Sequence, residues 1–197
     1  MNINLDNNKV QIIAECGLSH GGSLKKAKNF IKLVKENGAD IVKFQTHIAE
    51  KESTYDEKFR VAMPKRFKNR FDYWQKTSFS KSQWRELILF AKKQKISFLS
   101  SVFSTDAVDL LYSLGQKVFK IGSGEFFSKD ILDRIISIKG SMIISTGMST
   151  NNEIKSLIKY LKVKKAKFVI MQCTSSYPCD FSNVNLPMID HFKKKYR

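Results

Sequence analysis

The stretch ISFLSSVFSTDAVDLLYSLGQKVFKI, residues 96–121, holds one complete strand–helix–strand unit. Ile96–Ser101 is an apolar run of strand length, Thr105–Leu114 reads as a helix closed by Gly115, and Val118–Ile121 is the next strand. These strands are continuous apolar runs rather than alternating ones. That is the pattern of a parallel sheet covered by helices.

The same unit recurs outward in both directions. Upstream, Val10–Cys16 reads as a strand followed by a turn at Gly17–Gly22. Ser23 is placed as an N-cap, Ala27, Phe30, Ile31 and Val34 fall at helical spacing, and Asn37-Gly38 stops that helix before the strand Ile41–Gln45. Downstream come a helix at Asp130–Ile138 closed by Gly140, a strand at Met142–Ser145, a helix at Asn152–Leu161 and a strand at Phe168–Gln172. One long interruption, Thr46–Ser80, precedes a helix at Lys81–Lys93; it carries Phe59, Phe67, Phe71, Tyr73 and Trp74 and is too apolar for a linker. Connections of that length are usually functional or hold structure of their own. About six strand–helix units result, and periodicity alone allows either an open doubly wound sheet or a barrel. No G-x-G-x-x-G follows the first strand, which argues against a dinucleotide-binding domain.

At 197 residues the chain is shorter than the roughly 250 that a full eight-fold barrel needs. A hydrophobic fraction of 42% with 15 Phe supplies a core and excludes a disordered chain. The formal charge of +17 suits nucleic acid, an anionic membrane or an anionic small substrate. The lysines are spread over Ser23–Glu36 and Asn151–Lys167, with a small cluster at Lys193–Lys195, and no RNP-like motif, zinc-finger spacing or basic arm appears. The expectation is a solvated, Lys-rich surface and no nucleic-acid partner. Cys16, Cys173 and Cys179 form no C-x-x-C pair, so neither a disulfide framework nor a zinc site is expected. Met1–Lys9 is polar, and no apolar run approaches the ~20 residues of a membrane span. A cytoplasmic protein with no membrane partner is the natural expectation.

In parallel α/β folds ligands bind outside the carboxyl ends of the strands. Strand one ends in Glu15, strand two carries Lys43 and Gln45, strand three ends in Ser100-Ser101, and strand four carries Lys120, then Ser123 and Glu125. Strand five ends in Ser145-Thr146, and strand six in Gln172, Thr174, Ser175 and Tyr177. A lysine on a strand buried on both faces costs several kcal/mol unless it has a partner. Lys43 and Lys120 therefore either close internal ion pairs with Glu15 or Glu125, or converge with the hydroxyls to hold a phosphate and a carboxylate. His20 and His47 read as ordinary loop histidines, Cys173 as a small buried residue, and Ser-Thr-Gly at 145–147 as either a common turn or a phosphate-cradling one.

Read in order, these strand ends resemble the sialic acid synthase family. The matching segments are I-A-E-C-G at 13–17, G-A-D-I-V-K-F-Q-T at 38–46, F-L-S-S-V-F at 98–103, K-I-G-S-G-E at 120–125 and S-T-G-M at 145–148. Q-C-T-S-S-Y-P at 172–178 and V-N-L at 184–186 complete the series, and Phe71–Phe79 with Trp84 looks like the family's second βα connection. The resemblance implies a (β/α)₈ TIM barrel, incomplete in this chain, in which phosphoenolpyruvate condenses with an N-acylamino sugar aldehyde such as N-acetylmannosamine. Lys43, Ser101, Lys120, Ser123 and Ser145 are then expected on the phosphate and carboxylate of phosphoenolpyruvate. Glu15 and Glu125 are expected at the reacting centre, with Ser175 and Tyr177 facing the sugar.

It further implies a divalent metal, Mn or Mg, acting as a Lewis acid on the aldehyde. Its histidine ligands, in a Ser-Asp-His-Thr stretch and an Arg-His-Phe-like stretch, are expected beyond residue 197, so no metal ligand is expected within this chain. The last two βα units and a small antifreeze-like domain are expected beyond the same point. Full-length relatives are expected to be homodimers in which that domain supplies an Arg to the partner's site. An unclosed barrel leaves two sheet edges, and the polypeptide alone is expected to be unstable or inactive. The alternative is a truncated, non-catalytic remnant that binds an anionic ligand or partner. Four positions depart from the family pattern: Ser101 stands for Thr, Val102 for Pro, Phe127-Ser128 where Asn is usual, and Gln172 where bacterial members often have His.

Overall fold

The computed structural model describes residues 10–59 and 66–196. The polar segment 1–9, residues 60–65 of the aromatic connection and residue 197 lie outside the described residues. The chain divides into two compact units, one up to Gln116 and one from Lys117.

The first unit runs β1 (Ile13–Gly17), α1 (Leu24–Glu36), β2 (Ile41–Thr46), α2 (Ala49–Glu52), α3 (Arg70–Thr77), α4 (Lys81–Lys93), β3 (Ser97–Val102) and α5 (Thr105–Ser113). β2 pairs in parallel with β1 and with β3, with Glu15 beside Lys43 and Gln45 beside Ser101. β1 begins at Ile13 and not at Val10, because Val10 and Ile12 are exposed and have no sheet to bury them. Side chains alternate across a strand. One face of this sheet therefore carries Val42, Phe44 and Phe98, which pack under α1 and α4; Phe44 stacks on Phe98 at 5.7 Å and Trp84 meets Phe98 edge-on at 6.2 Å. Ala27 and Ile31 of α1 and Leu87 and Ala91 of α4 are fully buried there, and each large apolar side chain contributes about 1.5–3 kcal/mol. The other face carries Glu15, Lys43 and Ser101.

The connection between β2 and α4 folds into α2 and α3, which close a small cluster of Leu18, Ala49, Phe71 and Trp74 with Tyr73 against it. Its aromatic content is thus structural.

The second unit runs β4 (Val118–Ile121), α6 (Lys129–Ser137), β5 (Ser141–Ser145), α7 (Asn151–Val163), β6 (Lys167–Met171), a 3₁₀ turn at Phe181–Asn183 and α8 (Pro187–Tyr196). β5 pairs in parallel with β4 and β6, setting Lys120 beside Ile143 and Ser145 beside Met171. Ile131, Leu132 and Ile135 of α6 and Ile154, Ile158 and Leu161 of α7 are buried with Phe119 and Met142. β6 is only half-buried, and a cavity of about 460 Å³ lies between it and α8, lined by Phe168, Ile170, Ile189, Phe192 and Tyr196 among others. The Lys193–Lys195 cluster forms the last turn of α8, where cations complement the helix dipole.

Helix ends follow local chemistry. Ser23 caps α1 by accepting from the Lys26 N–H, and full capping boxes start α4 (Ser80 with Gln83) and α7 (Thr150 with Glu153). α1 and α5 close through Gly38 and Gly115 at φ +81° and +87°. By contrast α4, α6 and α7 close through Lys95, Lys139 and Lys165 at φ 55°, 55° and 54°, a left-handed conformation where Gly is usual. After each, the next N–H returns to the helix: Ile96 to Ala91 O, Gly140 to Ile135 O, Ala166 to Leu161 O. The stop expected at Gly140 is thus made by Lys139. Gly140 is small for another reason: a Cβ there would come within 2.9 Å of Ile135 Cγ2 and 3.1 Å of the Phe119 ring. Among the described residues no helix is long and apolar enough to cross a membrane.

Candidate functional site

In the first unit, Glu15 and Lys43 are register neighbours and so project from the same face. Lys43 forms an ion pair with Glu15 and donates to Ser101 Oγ at 3.2 Å. The Lys43 side chain is 12% exposed and that of Glu15 44%, so the carboxylate meets solvent while the ammonium sits deeper. Of the two possibilities open for an internal lysine, the ion pair is present here, and the hydroxyl expected beside it is present too. Cys16 points to the opposite face, and burial pushes its thiol up to about 11, which keeps it protonated and unreactive.

Both histidines are packing residues. His20 is buried, stacks on Phe79 at 4.4 Å and accepts from the Gly22 N–H at 3.1 Å; burial lowers it to about 4, so the ring is neutral. His47 lies between Phe103 and Trp74 at 4.0 and 4.9 Å and bonds Glu52 at 2.6 Å.

The second unit places Lys120, Ser145, Ser123 and Cys173 in one constellation. Lys120 is buried and donates to Ser145 Oγ and to the Ile121 carbonyl at 2.8 Å. Burial lowers this ammonium to about 8, with electrostatic attraction toward Cys173 and Glu125 partly opposing the shift. Ser123 Oγ accepts from the Gly147 N–H at 3.1 Å. The Ser-Thr-Gly turn is therefore not an open cradle: the Gly147 and Thr146 N–H groups are both taken, the latter by the Met171 carbonyl at 3.2 Å, which also accepts from the Thr146 hydroxyl at 2.9 Å. Gly147 is hemmed in, since a Cβ there would lie 2.6 Å from Ser175 Oγ and 3.1 Å from both Ser123 Oγ and Cys173 O. Glu125 folds back over Gly122, where a Cβ would come 2.6 Å from Glu125 Oε2.

Ser175 thus stands beside Gly147, whereas Tyr177 is 93% exposed and precedes Pro178 through a cis peptide. Gln172 and Thr174 are structural, binding the Val184 and Asn183 carbonyls at 3.3 and 2.8 Å. Of the departures, Ser101 retains the hydroxyl that binds Lys43, Phe127 is exposed, and Ser128 holds the N-cap position of α6 without a side-chain bond.

Cys173 is the residue that composition alone misjudges. It is half-buried, and its thiol donates to Ser145 Oγ at 3.1 Å. A signal for it exists in the register: Met171 pairs with Ser145, and two residues on the chain returns to the same side.

Among the described residues no group of three or more His, Cys, Asp or Glu side chains is placed to hold a metal ion. The described residues alone do not make up the divalent-metal site that the resemblance implies.

Comparison with known proteins gives a consistent answer. The chain is 36% identical over 195 residues to N,N'-diacetyllegionaminic acid synthase of Campylobacter jejuni, covering 96% of this chain and 58% of that protein. It is 34% identical over 194 residues to human N-acetylneuraminate-9-phosphate synthase, covering 94% and 52%. The chain thus spans a little over half the length of these relatives. Among solved structures, N-acetylneuraminic acid (sialic acid) synthetase of Leptospira borgpetersenii, crystallised with citrate, superposes with a TM-score of 0.82 at 28% identity, covering all of this chain and 67% of that one. The parallel strands and helices are accordingly those of a (β/α)₈-type barrel, present in part. The NeuB family matches residues 30–197, and with lysines and hydroxyls at the matching strand ends the chain belongs to that family.

Proposed function

We propose that this chain provides the phosphoenolpyruvate-holding part of a synthase that joins phosphoenolpyruvate to an N-acylamino sugar aldehyde, yielding a sialic acid or related nonulosonate and phosphate. The observation that carries the reading is Lys120: a buried ammonium held by Ser145 and a backbone carbonyl, beside Ser123, at the end of a parallel strand. Such a cation is costly to bury without an anion to receive. Phosphoenolpyruvate brings both a phosphate and a carboxylate. Lys43, with Ser101, is a second lysine suited to an anionic oxygen. The named relatives, synthases of legionaminic acid and of N-acetylneuraminate 9-phosphate, support the substrate class.

The chemistry then runs as follows. The enol carbon of phosphoenolpyruvate attacks the aldehyde carbon, forming the new C–C bond, while the aldehyde oxygen takes up a proton. Positive charge develops on the carbon bearing the phosphate, water adds there and loses a proton, and the C–O bond to phosphate breaks. Glu15 and Glu125 are the carboxylates assigned to proton transfer and to the developing cation. Ser175 and Tyr177 are assigned to the sugar, for which N-acetylmannosamine is the first compound to test.

Calorimetric titration of the chain with phosphoenolpyruvate at pH 7, followed by an assay for phosphate release with N-acetylmannosamine and Mn²⁺, tests the proposal. Saturable one-to-one binding that is weakened in both Lys120→Met and Lys43→Met supports it. No binding at millimolar phosphoenolpyruvate contradicts it. Binding without release with every acylamino sugar, and again after the C-terminal part of a relative is supplied in trans, favours the non-catalytic, anion-binding alternative.

A further inference from the structure

The hydroxyl of Ser145 has one hydrogen to donate and two lone pairs to accept with. Lys120 Nζ donates to its oxygen, and so does the Cys173 thiol at 3.1 Å. Both lone pairs are then engaged, and the Ser145 hydrogen is left without a partner among these groups. A hydroxyl rotor with only one acceptor interaction can turn its hydrogen toward several directions; with two, the remaining direction is set.

We propose that Cys173 is a positioning residue for anion capture: its thiol engages Ser145 so that the Ser145 hydrogen is aimed at a bound oxyanion. The inference rests on the phosphoenolpyruvate reading above and deepens it. Cys173 itself need not touch the ligand; it acts through Ser145. The register places it for this, since β5 and β6 align Ser145 with Met171 and Cys173 follows two residues later. The turn it faces is close, because the Cys173 carbonyl lies 3.1 Å from where a Cβ on Gly147 would stand.

The experiment is a set of phosphoenolpyruvate titrations on the full chain. Cys173→Ala is expected to bind about 5-fold more weakly, the size of one lost neutral hydrogen bond. Cys173→Ser, which restores an O–H donor, should return to within ~2-fold of the parent. In a Ser145→Ala background, Cys173→Ala should add nothing, because its only route to the ligand is gone. Cys173→Val, close to cysteine in size, is the second donor-free variant should Cys173→Ala fail to give a cooperative melt. A merely structural cysteine would give equal losses for Ala and Ser, or additive losses in the Ser145→Ala background, and either result overturns the proposal. So does unchanged affinity in Cys173→Ala. If the parent chain itself binds no phosphoenolpyruvate, the proposed function falls and this role falls with it; if the parent binds and these variants bind alike, only the role of Cys173 falls.

Discussion

The two units each set one lysine into a parallel strand, and they satisfy it in opposite ways. Lys43 is matched by a full negative charge, Glu15, with Ser101 as a further partner. Lys120 is held by a neutral hydroxyl and a backbone carbonyl, and its desolvation outweighs what Glu125 and Cys173 return, so it sits near 8 instead of 10.5. A displacement of that size corresponds to about 3 kcal/mol against the charged form. The first lysine is balanced by the charge of its register neighbour, while the second keeps a net desolvation cost. Two residues that look alike in sequence thus differ in charge balance.

The largest effect is expected from removing the lysine that keeps a net desolvation cost. Lys120→Met should weaken phosphoenolpyruvate binding about 100-fold, and Lys43→Met about 10-fold, since a ligand must displace or share the attraction of Glu15 at the latter. Equal losses, or the reverse order, in the same titration would break the comparison. Gly147→Ala should weaken binding about 10-fold by driving a methyl group into Ser175 and Ser123, with little effect on binding expected from Gly38→Ala, where a Cβ meets nothing within 4 Å.

Stability should move the other way. The folded-state value of Lys120 lies below its ordinary one, so between about pH 8 and 10.5 the unfolded chain binds more protons and stability rises with pH. Below that window the cost is present in full. At pH 7, with no anion bound, Lys120→Met should therefore be more stable than the parent by about 1–2 kcal/mol, after allowing for its lost hydrogen bonds. The gap should close as pH rises from 8 to 10.5, read from denaturant melts across pH. The smallest effect concerns the helix ends, where Lys95 of the first unit and Lys139 and Lys165 of the second take the left-handed conformation that Gly38 and Gly115 supply elsewhere. Lys165→Gly should raise stability by about 0.5–1 kcal/mol by relieving a left-handed residue that carries a side chain, and no gain in the melt would argue that the lysine conformation is unstrained.

The fold was legible where hydrophobic period is strong. Val118–Ile121 and Lys81–Lys93 come out with the bounds that the pattern predicts, because buried strands and an amphipathic helix leave a direct trace in residue type. The pattern starts β1 three residues too early and ends it one too soon, since apolar residues exposed beyond a sheet look the same in sequence as buried ones. α8 escaped notice because its ten residues bury Phe192 but little else. The lysine helix caps were invisible for a simpler reason: only glycine announces a positive φ by its identity.

The strand-end lysines and hydroxyls stood out in sequence because charge inside an apolar run is costly. The structure adds which partner each one has. It joins Lys120 to Ser145 and Lys43 to Glu15, and leaves Tyr177 facing solvent. The link from Cys173 to Ser145 depends on β5–β6 register, which residue types do not encode.

Proton uptake on phosphoenolpyruvate binding at pH 8, measured by calorimetry in two buffers of different ionisation enthalpy, tests the assignment of Lys120 most directly. At that pH the free protein holds Lys120 about half protonated, and a bound anion restores the proton. The parent and Lys43→Met should take up about half a proton per ligand bound, and any residual binding by Lys120→Met should show none. Equal uptake in Lys120→Met and the parent would contradict the account.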